Sequence, residues 1–102
     1  MTIRHVVMWR VRGDTPGERQ ANAARVREAL LSMEGLVPGM AWLQVGLDIS
    51  GIDYACDVVL VADFDDAQAL SGYADHPAHV RAKRQMADLR IARHQVDFVV
   101  PR

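Results

Sequence analysis

Ile3–Val11, IRHVVMWRV, alternates in the period of a β-strand: Ile3, His5, Val7, Trp9 and Val11 share one face, and Arg4, Val6, Met8 and Arg10 the other. A half-buried strand normally turns a polar face to water. Here the second face is apolar at its centre, through Val6 and Met8, so both faces need cover. Ala55–Phe64, ACDVVLVADF, repeats the pattern, with Val59 and Val61 on the side opposite Leu60.

The remaining elements are read outward from these two. Thr15–Glu18, TPGE, has the form of a capping box, with Thr15 at the N-cap, Pro16 at the first helical position and Glu18 reaching back to the cap. The helix it opens is expected to stop near Gly35, burying Ala23, Val26, Leu30 and Met33. Met40–Ile49 is a second strand, joined to Ala55–Phe64 by a turn containing Ser50, Gly51 and Asp53, and the two are expected to pair antiparallel. Asp65, with Gln68 three residues later, is expected to cap a short helix carrying Leu70 and Tyr73. Pro77 interrupts it, because proline lacks the amide donor and clashes with the preceding turn. A further helical segment starts at Pro77 and is expected to run to about Ala92, followed by a last strand over His94–Val100.

Strand, helix, strand, strand, helix, strand is the ferredoxin-like order, an α+β class with an antiparallel four-stranded sheet and helices on one face. No element is left for the second apolar face. A second copy of the chain is the expected cover, giving a homodimer through the sheet face.

Composition narrows the function classes. A chain of 102 residues, half apolar and one quarter charged, is expected to form a single domain over 1–102. Net charge is −1, with Lys and Arg scattered, so no nucleic-acid partner is expected. The longest apolar run, Val58–Ala62, is far too short for a membrane span, and a soluble, cytoplasmic protein is expected. The one cysteine, Cys56, has no histidine near it in sequence to activate it and reads as a small buried hydrophobe.

The polar residues of interest cluster in Gly72–Val80, GYADHPAHV. His79, Ala82, Met86 and Leu89 recur at helical spacing, which turns His79 toward the sheet. Tyr73 lies on the inward side with Leu70, and His5 shares a strand face with Val7 and Trp9. Any one of them alone reads as a satisfied core group. Two imidazoles and a phenol in so small a core are costly to bury unless they bond one another or a ligand, so together they suggest a polar pocket for a small molecule. Val7, Trp9, Val26, Leu30 and Met86 are expected to line it. His76 and His79 are three apart, but His76 falls at the helix cap and no further ligands stand at a familiar spacing, so no metal is expected. No phosphate loop, nucleophile elbow or dinucleotide fingerprint is present, and no cofactor is expected. His94 and Asp97, of opposite parity in the last strand, have no strong case.

The segments RHVVMWRV, DVVLVADFDD, YADHPAHV and VDFVV together resemble the stress-responsive dimeric α/β-barrel (Dabb) family over nearly the whole chain. The pattern YxxHPxH carries most of the specificity. The resemblance implies two ferredoxin-like protomers closing a barrel. It also implies, by analogy with a family member that cyclises a linear polyketide by aldol condensation, that Tyr73 and His79 are catalytic and that His5 is the accompanying strand histidine. Two expectations stand side by side. One is a small cofactor-independent acid/base enzyme acting on a polyketide-like or other small carbonyl compound, a cyclase or lyase before a cofactor-free monooxygenase. The other is a non-catalytic stress-responsive barrel that binds a small apolar ligand or is purely structural.

Overall fold

β1 (Ile3–Val11) lies inside a four-stranded antiparallel sheet, paired on one side with β3 (Val58–Phe64) and on the other with β4 (Arg90–Val99). β2 (Met40–Leu47) pairs with the free side of β3, giving the order β2-β3-β1-β4. Three helices complete the chain: α1 (Pro16–Leu31), α2 (Ala67–Asp75) and α3 (Pro77–Met86). The structure, a computed structural model, describes residues 1–101.

The face of β1 carrying His5, Val7, Trp9 and Val11 is the one under the helices, and all four are buried. It meets Val26 and Leu30 of α1, Leu60, Ala62 and Phe64 of β3, and Ala78, Ala82 and Met86 of α3 in one core. Ala23, Val26, Leu30 and Met33 are all buried as the spacing requires, although α1 ends at Leu31 and Met33 lies in the turn beyond it. Thr15 caps α1 by accepting the Glu18 amide at 3.1 Å. The Glu18 carboxylate accepts from the Asp14 amide at 2.7 Å instead of returning to Thr15, so the box closes one residue early.

Several boundaries differ from expectation: β2 ends at Leu47 rather than Ile49, β3 begins at Val58 rather than Ala55, and the cap of α2 and the end of α3 also move. The cap of α2 is Asp66, whose carboxylate accepts the Ala69 amide at 2.8 Å; Asp65 is held back by its own amide, which donates to the Gly39 carbonyl. Gly39 sits at φ +80°, and a Cβ there would lie 2.5 Å from that of Ala69, so only glycine lets the chain pass beneath α2. The difference at α3 is the largest. α3 ends at Met86, and β4 begins at Arg90 rather than His94. Leu89 keeps the inward stripe going, but from a turn whose amide donates to Met86, while its carbonyl accepts the Arg12 amide and ties the turn to the end of β1.

The helices pack on β2, β3 and β1. β4 is a partly open edge strand, and its residues are mostly exposed on both faces. On the side of the sheet away from the helices, Met8, Trp42, Val96 and Phe98 are exposed apolar side chains. Arg4 grips Asp63 there through Nε and Nη2 at 2.8 and 3.0 Å and lies over the Trp42 ring at 5.5 Å. That hydrogen-bonded guanidinium holds the Asp63 carboxyl below the usual carboxylate range. Cys56 precedes β3 in a half-buried loop rather than in a strand. Among the described residues no helix is long and apolar enough to cross a membrane.

Candidate active site

The break at Pro77 does more than end a helix. The residue before a proline is driven out of the helical region, and His76 accordingly takes φ −66° and ψ 138°. From there its Nδ1 accepts the Ala78 amide at 3.1 Å, capping α3. In an unbroken helix that amide would have bonded the Ala74 carbonyl four residues back. The carbonyl is thereby left to another donor, and His79 Nδ1 takes it at 2.9 Å.

A backbone carbonyl only accepts, so His79 Nδ1 carries the hydrogen, and the neutral ring presents its lone pair at Nε2. Burial, the largest influence, lowers the His79 pKa from its ordinary value of 6.5; the Ala74 bond opposes this, while Lys83, His5 and Arg93 add to the lowering. At neutral pH the imidazole is therefore an uncharged base.

Tyr73, from α2, packs against it with ring centroids 4.4 Å apart. Its other neighbours are His5 at 5.6 Å and Phe64 at 5.1 Å. Tyr73 is only 5% exposed, and burial pushes its phenol up to about 12, with Arg93 opposing; it stays a protonated donor. His5 reaches this cluster from β1. Its Nδ1 meets the Asp97 carboxylate of β4 at 2.5 Å, directly across the strand pair. Asp97 also accepts from Gln95 Nε2 at 2.9 Å. The carboxylate fixes the ring so that His5 Nε2 is its other polar atom.

These groups line one cavity of about 380 Å³ between the sheet and α2/α3, within the range of small-ligand sites. Tyr73, His79 and His5 all border it, as do Val7, Trp9, Leu30 and Met86. Val26 does not: it is completely buried in the core. One buried polar atom in this wall is unpaired. Trp9 Nε1 has no hydrogen-bond partner among the described residues, which costs about 1–3 kcal/mol unless a guest supplies an acceptor.

The inward face of β4 adds Arg93, Gln95 and Asp97 to the wall, with Arg90 and Lys83 nearby. None of them stands out in the sequence once α3 is extended to Ala92. With β4 started at Arg90, period two alone would have put Arg93, Gln95 and Asp97 on one face. His94 falls on the other face, opposite Met8 and away from the cavity.

A curated relative, an uncharacterized protein of Streptomyces coelicolor, is 30% identical over 77 residues, 76% of this chain and 78% of that one. A dimeric ferredoxin-like protein of unknown function from Thermobifida fusca superposes with a TM-score of 0.82 at 28% identity, over 98% of this chain and 92% of that one. A hydroxynitrile lyase from Passiflora edulis has the same fold, with a TM-score of 0.78 at 10% identity over 98% and 94% of the two chains. The family model of the stress responsive A/B barrel domain, Dabb, matches residues 3–100, and the chain belongs to that family.

Proposed function

We propose that this chain is a cofactor-independent acid/base enzyme acting on a small carbonyl compound, of polyketide type, in the cavity between the sheet and α2/α3. The observation that carries the proposal is the His79–Ala74 bond, which leaves Nε2 as a neutral base beside a protonated phenol. His79 Nε2 removes a proton from carbon next to a substrate carbonyl, and the C–H electron pair moves onto the carbonyl oxygen. Tyr73 O–H donates to that developing enolate oxygen. The enolate carbon then attacks a second carbonyl of the same molecule, forming the ring bond. The new alkoxide takes back the proton held by His79, which returns the imidazole to its neutral form. No electrons leave the substrate, so the sequence closes without an oxidant. Retro-aldol cleavage of a β-hydroxy carbonyl compound to an enolate would run through the same groups in reverse.

The outer sheet face, with Met8, Trp42, Val96 and Phe98 exposed, is the surface a second copy covers. The Thermobifida fusca structure is described as dimeric, and a sheet-on-sheet contact removes this patch from water without further elements.

The test is exchange of the C2 protons of ethyl acetoacetate in deuterated water. The wild type is expected to catalyse it with saturation, and His79→Gln to lose about 10²–10⁴-fold in rate. A His79→Gln rate equal to wild type sinks the assignment of the base, and no catalysis by either protein returns the cavity to simple ligand binding.

A further inference from the structure

The proposed acid/base pair leaves the cationic wall of the cavity unexplained. Arg93, Lys83 and Arg90 line the cavity, and none forms an ion pair among the described residues. The single carboxylate in the wall, Asp97, is already bonded to His5 and Gln95. The cavity thus carries three cations with no free counter-charge among the described residues.

Next to them is the unpaired indole. Trp9 is 4% exposed, and its Nε1–H has no acceptor among the described residues. Trp9 and Arg93 are direct cross-strand partners in the β1/β4 register, which sets their side chains side by side on the face under the helices. An indole N–H donates one bond only, and a guanidinium offers a charged fork. We propose that the cavity takes the carboxylate of its substrate between Trp9 Nε1–H and the Arg93 guanidinium, so that the carbonyl compound is a keto acid. This inference rests on the cavity being the active site proposed above.

A carboxylate suits the pair because its two oxygens accept from two neighbouring donors, and one of those bonds is charge-assisted. Lys83 and Arg90 raise the local concentration of anions at the wall. Arg93, Tyr73 and His79 line the same cavity of about 380 Å³, so an anion seated on Arg93 shares that cavity with the base. The apolar Val7, Leu30 and Met86 then receive the carbon skeleton. Inorganic phosphate shares the negative charge but has no carbon skeleton for Val7, Leu30 and Met86 to receive, so it is expected to bind more weakly than a carboxylate that carries one.

Calorimetric titration of the intact protein with benzoate, benzamide and inorganic phosphate tests the inference. Benzoate is expected to bind at least about tenfold more tightly than benzamide, its neutral match in shape. Arg93→Gln, at a solvent-reached position of an edge strand, is expected to weaken benzoate by about 10–100-fold and leave benzamide unchanged. Trp9→Phe keeps the ring and removes the donor, and is expected to weaken benzoate several-fold. Equal binding of benzoate and benzamide, or an unaltered benzoate affinity in Arg93→Gln, overturns the inference; phosphate binding more tightly than benzoate overturns the carboxylate assignment. Ethyl acetoacetate carries no carboxylate, so its exchange reports the base separately. Exchange without carboxylate preference removes this inference alone, and carboxylate preference without exchange removes the base and leaves the anion site.

Discussion

His79, Tyr73 and His5 differ in how their protons are held, and the pH dependence of activity follows from that difference. The proposed reaction needs His79 neutral. Its pKa is lowered chiefly by burial, so kcat/KM is expected to rise with pH along a limb lying below 6.5 and to be level at pH 7. Tyr73 must keep its proton, and burial places its loss at about 12, so no alkaline fall is expected between pH 8 and 10. Tyr73→Phe is expected to lower kcat by tenfold or more with little change in KM, because in the proposed reaction the phenol bonds an oxygen charged only in the transition state. The depressed His79 pKa also bears on stability. The unfolded chain takes up the proton first as pH falls through 6.5, so stability is lost on acidification, and His79→Gln is expected to lose less of its urea midpoint between pH 7 and 5 than wild type does. The three residues were legible in the sequence because each is a polar group on an otherwise apolar stripe. Asp97 was not: its partner His5 lies 92 residues away, and only the pairing of β1 with β4 brings the two together.

The helix break is the element on which the site depends. Tyr73 is the last inward residue of α2, His76 is the hinge, and His79 is in the first turn of α3. Pro77 announced the break, since proline has one well-defined place in a helix. What the sequence did not disclose is the exchange of hydrogen bonds it causes, in which His76 takes the Ala78 amide and frees the Ala74 carbonyl for His79. His76→Ala is expected to cost about 1 kcal/mol in urea unfolding through loss of the cap. It is also expected to reduce exchange activity, because an uncapped Ala78 amide competes for Ala74. Unchanged stability in His76→Ala would show that the cap is not made in solution. The end of α3 was misread for an equally physical cause. Leu89 stands where a helical stripe predicts it but is delivered by a turn, and the polar start of β4, Arg90 to Arg93, offers no alternation of apolar residues to mark a strand.

Over the whole molecule, the two apolar faces of β1 and β3 foretold both the helical layer and the bare sheet face. A pocket beneath the helices was foretold by Tyr73, His79 and His5 facing one interior; the wall that β4 adds to it was not, because that wall depends on β4 pairing with β1 at the sheet edge, and strand order is a long-range property of the chain. The outer face is expected to hold a dimer in light scattering at micromolar concentration, and Phe98→Glu with Val96→Lys to give a monomer that still folds. A wild-type monomer would remove the sheet-face contact. The folded molecule as a whole is required to deliver a neutral imidazole, with its lone pair at Nε2, into the cavity, and this can be read without any substrate by nitrogen-15 NMR of the imidazole rings across a pH titration. The expected spectrum shows His79 in the Nδ1–H form at pH 7, taking up its proton below pH 6.5. A ring protonated at Nε2, or one that is already charged at pH 7, contradicts it.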